Sequence, residues 1–259
     1  PRIGLLAPRL GVFARFDVLT HEPDARAAQV ARGRQAFLAM TGATDRTMAH
    51  LARFADRQPT MREPLCATLA HTTVWVDPDC FDAASNDLFD TDWWQRQGGS
   101  DARGAGRGHI HRVRNDSGNY LLRHYYRGGL MARISRDLFL TQPLVQTRSM
   151  AEFTLLAQLR ARGLPVPQAC AARLCRHGLF YRADILVALI PDAHDVAHLL
   201  HHEKALTPSQ WQLLGRTVRQ LHDEQVFHAD LNCHNLMLDR HGQAWIVDFD
   251  KCGFRAGEA

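Results

Sequence analysis

The sequence predicts an α+β protein in which an antiparallel sheet comes first and helices follow. Two observations indicate this. Between residues 72 and 190, short segments rich in β-branched and aromatic residues alternate with glycines and turn residues. Two other segments carry apolar residues at helical spacing, and the better marked one follows the strands. Strands followed by helices, rather than a strict alternation, are typical of the α+β class.

The composition of the 259-residue chain is that of an ordinary globular protein, with 46% hydrophobic and 22% charged residues. The longest apolar run near the middle, Ile185–Ile190, is far shorter than the about 20 residues that cross a bilayer. We therefore do not expect a transmembrane enzyme, and peripheral association stays open. No signal-peptide pattern opens the chain. The six cysteines form no CxxC pair, which favours a reducing compartment over a disulfide framework.

The basic residues are almost all arginines. Lys204 and Lys251 are the only lysines among 31 basic residues, which leaves 29 arginines. Arginine offers a planar fork for phosphates and cannot act as a base. The net charge of +4 is compatible with an anionic partner. We do not expect nucleic acid as that partner, because no zinc-finger or RNP-like pattern is present.

Several strands follow one another in the first half of the predicted fold. The predicted strands are Thr72–Val76, His109–Val113, Asn119–Tyr126, Leu179–Tyr181 and Asp184–Ile190. The second and third are separated by an Asn-Asp-Ser-Gly turn, which indicates an antiparallel hairpin.

Two helices are predicted from apolar spacing and end signals. The first covers Met150–Arg162 and ends at Gly163. The second begins after Thr207, which is a good N-cap. Pro208 at the first position and Gln210 at the third complete a capping-box pattern.

The strongest chemical signal lies near the end of the chain. Asp230 and Asn235 are five positions apart, and Asp248 follows thirteen positions later. This matches the kinase pattern H-R-D-x-x-x-x-N with a later D-F-G, although an alanine and a second aspartate replace its Arg and Gly. A hairpin predicted over residues 236–247 would return the third residue to the first two. We predict that Asp230 is the catalytic carboxylate, and that Asn235 and Asp248 hold Mg²⁺ against a triphosphate.

Three further features are predicted to bind the phosphates of ATP. Backbone N–H groups of a loop with Gly104, Gly106 and Gly108 could cover them. Arg123 would replace the usual strand lysine, and Glu152 would orient it through an ion pair. Each feature has a competing interpretation: the glycine loop as a simple turn, Arg123 as a surface strand residue, and Glu152 as a favourable charge in the first turn of a helix.

Two other patterns have weaker interpretations. His228 and His234 are six apart, so they do not share a helical face, and no Cys or Glu completes a metal site. We interpret His228 as a structural histidine that braces the loop. Residues 123–136 contain four arginines and no acid. This segment is either a contact with an anionic substrate or membrane, or a solvated loop.

Taken together, these motifs resemble the 3-deoxy-D-manno-octulosonic acid (Kdo) kinases of lipopolysaccharide synthesis. Three passages carry the resemblance: Leu121–Leu130, Val226–Asn235 and Trp245–Lys251. The R-H-Y-x-R-G-G string in the first is more specific than the general kinase pattern. Phe89–Trp94 also looks like the N-terminal region of the family, and the likeness runs from about residue 65 to the end.

The resemblance implies a two-lobed protein-kinase-like fold with ATP between the lobes. Residues 61–190 would form a sheet-rich lobe that covers the nucleotide, and residues 191–259 a helical catalytic lobe. Because the chain ends eleven residues after Asp248, we expect this lobe to be incomplete. Residues 1–60 match nothing in the family and stay unassigned, as a disordered stretch or a spurious extension.

The implied activity is ATP-dependent phosphorylation of the 4-hydroxyl of Kdo on a lipid A precursor. The implied location is the cytoplasmic side of the inner membrane, with peripheral contact. Two alternatives stay open: a related small-molecule kinase that acts on heptose or an aminoglycoside, and a non-catalytic kinase-like binding module.

Overall fold

The structure is a computed structural model that describes residues 62–98, 100–101, 110–126, 137–203 and 205–255. The predicted glycine loop with Gly104, Gly106 and Gly108 lies outside the described residues, as do residues 127–136 of the basic segment and residues 1–60. The predictions made for these segments remain predictions.

One antiparallel sheet dominates the described residues before position 190. Its eight strands are β1 (Leu65–Leu69), β2 (Thr72–Val76), β3 (Ser100–Asp101), β4 (Ile110–Asn115), β5 (Gly118–His124), β6 (Phe139–Leu140), β7 (Ala169–His177) and β8 (Phe180–Ala188). The strand order is β1-β2-β7-β8-β5-β4-β3, and β6 pairs with the beginning of β8.

Helices cover both faces of this sheet and then continue the chain. They are α1 (Thr91–Arg96), α2 (Arg148–Ala161), α3 (Val196–Glu203) and α4 (Pro208–Asp223). The predicted start of α4 is confirmed, because the Gln210 N–H donates to the Thr207 hydroxyl at 3.3 Å and the Thr207 N–H donates to Gln210 Oε1 at 2.8 Å. The predicted first helix is present as α2, which begins two residues earlier, at Arg148.

The alternation of side chains along the strands divides the core in two. Ile185 of β8 packs with the buried face of α2, which includes Phe153. Its neighbour Leu186 packs on the opposite face with Trp94 of α1. Consecutive strand residues point to opposite faces. The same alternation therefore separates Arg123 and His124 of β5.

Two small sheets are built from the strands after β8. In the first, β11 (Leu236–Leu238) pairs with β12 (Ala244–Ile246) and with β9 (His194–Asp195), which directly precedes α3. In the second, β10 (Val226–Phe227) pairs with β13 (Gly253–Phe254). The β11–β12 hairpin confirms the predicted hairpin between Asn235 and Asp248.

The prediction of two strands at Leu179–Tyr181 and Asp184–Ile190 was wrong. They form one strand, β8, which pairs along most of its length with β7. Arg182 and Ala183, which the prediction left between the two strands, pair with Cys175 and Leu174 of β7 and continue the strand. Strand β7 was not predicted, because alanines and arginines of weak strand propensity fill much of it. Pairing with β2 and β8 on either side holds it in the sheet.

The antiparallel sheet, with α1 and α2 packed on its faces and α3 and α4 after it, confirms the predicted α+β class. Within the part of the chain that the structure describes, no helix has the length and apolar character needed to cross a membrane.

Candidate active site

A strand cation and a helix carboxylate meet beneath the sheet, as the sequence predicted. Arg123 of β5 donates to Glu152 Oε2 of α2 at 2.5 Å. The Tyr125 hydroxyl donates to the same oxygen at 2.6 Å. A second guanidinium nitrogen of Arg123 donates to Asp248 Oδ1. One arginine therefore links β5, α2 and the loop after β12.

Burial and the ion pair together set the protonation of Arg123, Glu152 and Tyr125. Burial raises the pKa of Glu152, and the Arg123 guanidinium and the Tyr125 hydroxyl oppose that rise. Burial would lower the pKa of Arg123, but Glu152, Tyr125 and Asp248 together raise it well above its usual value. Burial and the neighbouring Glu152 also raise the pKa of Tyr125, whose hydroxyl stays a donor. The site therefore keeps a permanent cation next to two carboxylates.

His228 holds the loop that carries Asp230, which confirms its interpretation as a structural histidine. Its Nδ1 lies 3.3 Å from the backbone nitrogen of Asp230, and its Nε2 lies 3.1 Å from the Val247 carbonyl oxygen. We assign the neutral tautomer that accepts at Nδ1 and donates at Nε2. Burial lowers the pKa of His228, which favours this neutral form. Both ring nitrogens are engaged, so the alternative of a metal site at His228 and His234 is not supported.

Asp230 and Asn235 are held together by the loop between β10 and β11. Asn235 Nδ2 donates to the Asp230 carbonyl oxygen at 2.7 Å, and Asn232 Nδ2 donates to Asp230 Oδ1 at 2.9 Å. The Val247 N–H donates to the Asn235 carbonyl oxygen at 3.0 Å, which places the next functional residue alongside. The Nδ2 bond to the Asp230 carbonyl oxygen fixes the orientation of the Asn235 amide.

Asp248 adopts a left-handed backbone conformation. Its φ is +64°, which costs a non-glycine residue about 1–2 kcal/mol. Such conformations cluster at functional sites, where neighbouring contacts hold them. Here the contacts come from Val247 on one side and Arg123 on the other. The Asp248 side chain keeps 43% of its surface exposed, so its carboxylate can still reach a ligand.

A cavity of about 320 Å³ lies between the sheet and the β11–β12 hairpin, and it brings together four of the predicted residues. Arg123, Glu152, Asn235 and Asp248 supply polar groups to its lining, together with Arg112. Ile110, Leu121, Val187 and Met237 supply apolar surface. Asp230 does not line it, and adjoins it through its bonds with Asn235. The cavity suits a ligand with a flat apolar part and an anionic part.

A larger cavity of about 560 Å³ lies on the other side of α2, against Trp75 and Phe153. It contains none of the predicted site residues. Within the described ranges, no group of three or more His, Cys, Asp or Glu side chains is arranged to hold a metal ion.

Sequence reasoning did not assign a role to Asp250, which replaces the glycine of the kinase pattern. Its carboxylate accepts from Arg148, the first residue of α2, at 3.0 Å. Arg148 also lies over the ring of Phe139, at 4.8 Å from its centroid. Burial raises the pKa of Asp250, and Arg148 opposes that rise. This pair is a second link between the Asp248 loop and α2. The signal in the sequence for this role was an acidic residue at the position where the kinase pattern has glycine.

The described residues combine an antiparallel sheet, a helix acid paired with a strand cation, and a bonded Asp-Asn loop that precedes an Asp-Phe-Asp segment. This arrangement defines a phosphotransferase of the protein-kinase-like class. The model of the lipopolysaccharide kinase (Kdo/WaaP) family matches residues 91–259, and the chain belongs to that family. The family that the sequence resembled is thereby confirmed.

The chain is similar to several curated proteins that are named 3-deoxy-D-manno-octulosonic acid kinase. One from Photobacterium profundum is 40% identical over 198 residues, which cover 76% of this chain and 82% of the relative. One from Vibrio cholerae is 36% identical over 190 residues, with 73% and 80% covered. One from Haemophilus influenzae is 40% identical over 182 residues, with 67% and 75% covered.

Proposed function

We propose that this chain is an ATP-dependent kinase that phosphorylates the 4-hydroxyl of Kdo on a Kdo-lipid A precursor. The observation that carries the proposal is that Arg123, Glu152, Asn235 and Asp248 line one cavity beside the Asp230 loop. The names of the similar proteins support Kdo as the acceptor.

ATP fits the mixed polar and apolar lining of the cavity. The purine would lie against the apolar side chains, which include Leu121 and Met237, and the phosphates would face Arg123. Mg²⁺ prefers oxygen ligands and keeps several waters or phosphate oxygens. The side-chain oxygens of Asn235 and Asp248 fit that preference and would hold the ion. When bound, Mg²⁺ supplies neutralising charge to the phosphates.

Asp230 would act on the acceptor. Its exposed carboxylate, oriented by Asn232 and by the His228 loop, would accept a hydrogen bond from the Kdo hydroxyl. As that oxygen bonds to the γ-phosphorus, the bond from phosphorus to the ADP oxygen breaks and the hydroxyl proton passes to Asp230. Arg123, fixed by Glu152, would stabilise charge on the transferring group. Positioning and electrostatics would supply most of the rate enhancement.

We also propose that the protein works as a peripheral protein at the cytoplasmic side of the inner membrane. The acceptor is an anionic glycolipid, and Arg127, Arg133 and Arg136, the other arginines of the basic segment, support contact with an anionic surface.

The direct test is mass spectrometry of a Kdo-lipid A precursor after incubation with the full chain, ATP and Mg²⁺. We expect one added phosphate, placed on the 4-hydroxyl of Kdo by fragmentation, and at least about a hundredfold slower addition with the Asp230→Asn variant. Transfer to a heptose or aminoglycoside acceptor instead would assign the chain to another small-molecule kinase class. No transfer to any of these, together with no thermal shift on adding Mg·ATP, would indicate a binding module.

A further inference from the structure

One end of the sheet exposes several large apolar side chains. We call this the apolar edge: Leu69, Leu140, Leu179 and Phe180, with exposed fractions of 82%, 63%, 77% and 39%. Single exposed apolar residues are ordinary on a protein surface, whereas neighbouring ones mark a contact surface.

Hydrogen bonds show that these residues form one edge. Leu140 of β6 pairs with Phe180 of β8, and the Thr141 N–H donates to the Leu179 carbonyl oxygen at 2.9 Å. On the other side, the Arg176 N–H donates to the carbonyl oxygen of His71 at 2.7 Å, in the turn that follows Leu69. Neighbouring strands are about 4.8 Å apart. The tips of the β1–β2 and β7–β8 hairpins and β6 are therefore contiguous.

The turn between β7 and β8 presents its leucine outwards. His177 pairs with Phe180 across a two-residue loop, and Gly178 in that loop has a φ of +60°. Glycine with a positive φ at the first position is typical of a type II′ turn, which leaves Leu179 at its second position. Turn positions of this kind usually carry polar residues. Because Leu179 contributes little to the core, folding alone does not account for a leucine there.

The charge around the apolar edge is positive or neutral. Arg176 is exposed beside it, together with His71 and His177. Residues 65–72, 138–142 and 174–182 contain no Asp or Glu. The acid closest in sequence, Asp137, is paired with Arg182 at 2.6 Å. Leucines and a phenylalanine beside a cation match the interface of an anionic membrane, where apolar side chains enter and cations contact headgroups.

The apolar edge lies at the end of the sheet that is linked to the proposed transfer site. The Tyr181 hydroxyl, one residue from Phe180, accepts from the Arg148 N–H at 3.3 Å. Arg148 in turn pairs with Asp250, two residues from Asp248. A membrane against this edge would therefore be adjacent to the first turn of α2 and the loop that carries a proposed metal ligand.

We propose that the apolar edge is the surface by which this protein docks onto an anionic membrane, with Leu69 and Leu179 inserted and Arg176 at the headgroups. The proposal deepens the proposed peripheral action on a lipid-linked acceptor and rests on it. Convex turn tips suit shallow insertion, to a depth of about 5–10 Å at the headgroup boundary.

The test is co-sedimentation of the full chain with vesicles of phosphatidylcholine and phosphatidylglycerol in equal parts. We expect the double variant Leu69→Ser with Leu179→Ser to bind at least about tenfold more weakly, because two leucines that would be buried in the membrane are lost. Arg176→Glu should weaken binding by about fivefold or more, and added salt should reduce that difference. Trp211→Ser, at an exposed position on α4, is the matched control and should bind as the unmodified chain does.

Two further measurements separate the possible failures. Phosphate transfer to a soluble, acyl-free Kdo acceptor should be the same in the double variant and the unmodified chain, whereas transfer to vesicle-embedded precursor should fall. Equal vesicle binding by the double variant, or a dimer of the unmodified chain that the double variant loses, would overturn the proposed docking surface. Absence of transfer to either acceptor by the unmodified chain would instead overturn the proposed function. The vesicle measurement would then still decide whether the apolar edge binds an anionic membrane.

Discussion

Arg123 and His124 are consecutive residues of β5, yet they belong to two charge clusters on opposite faces of the sheet. Arg123 faces the cavity, where it is shared by Glu152 and Asp248. His124 faces the α1 side. There its Nδ1 lies 2.6 Å from Asp184, its Nε2 lies 3.4 Å from Asp137, and Arg173 bonds Asp184 at 2.9 Å.

The two clusters differ in how completely they satisfy their carboxylates. On the face toward α1, which we call the outer face, Asp184 is buried. One of its oxygens is bonded to His124 and the other to Arg173. On the cavity face, Asp248 is 43% exposed, and Arg123 contacts one of its two oxygens. A closed network stabilises the fold, whereas an open one can exchange its partner for a ligand. We therefore expect substitutions on the outer face to change stability and those at the cavity to change turnover.

The largest expected effect lies beside the cavity. Asp230→Asn should lower kcat by about 10²- to 10⁴-fold, because a general base is removed. The KM for ATP should change little, because Asp230 does not line the cavity. Steady-state kinetics with varied ATP, together with a melting curve, measure both. Asp223→Asn, at an exposed acid on α4, is the matched control. A variant with retained kcat would remove Asp230 from the catalytic role.

The outer cluster should respond in the opposite way. Asp184→Ala leaves Arg173 and His124 without their shared acid, so the free energy of unfolding should fall by about 3 kcal/mol. Urea unfolding measures this loss. Asp223→Ala breaks an exposed pair and should cost below about 1 kcal/mol. At a temperature where the Asp184→Ala variant is folded, its kcat should match that of the unmodified chain. A loss of turnover without a loss of stability would contradict the division into two clusters.

A smaller effect is expected from the acid that orients Arg123. Glu152→Gln keeps the shape of the side chain and removes its charge. The KM for ATP should rise about tenfold, the scale of one hydrogen bond to a charged group. The rise in KM should exceed any change in kcat with the Kdo acceptor. Isothermal titration with ATP can check the loss of ATP affinity independently. Tyr125→Phe removes only the second donor to Glu152 and serves as the comparison. Equal effects from both variants would argue against a specific role of the ion pair.

The smallest effect is a pH dependence of the outer cluster. The hydrogen bond to Asp184 raises the pKa of His124, although burial opposes it. A raised folded-state pKa means that protonated His124 stabilises the fold fully below the unfolded pKa of about 6.5. This stabilisation is lost as the pH rises through the folded-state value. Urea unfolding of the unmodified chain and His124→Gln should therefore converge at alkaline pH. A constant difference at every pH would contradict this titration.

Local signals in the sequence determined several parts of this protein. The capping box of α4 and the β11–β12 hairpin depend on residues close in the chain, and both were predicted. The spacing of Asp230, Asn235 and Asp248 identified the residues that the loop and hairpin bring together. The Arg123–Glu152 pair was also predicted, because the kinase pattern requires a strand cation and a helix acid.

The tertiary structure alone decided the rest, because those contacts join residues that no local pattern relates. Asp184 and His124 are sixty positions apart, and only the register between β5 and β8 makes the buried aspartate acceptable. Strand β7 has weak propensity and exists because it is paired on both sides. The pairing of Asp250 with Arg148, and the meeting of hairpin tips at the apolar edge, likewise required the assembled sheet. Residue types and their spacing specify which groups are available, whereas long-range packing decides which of them meet.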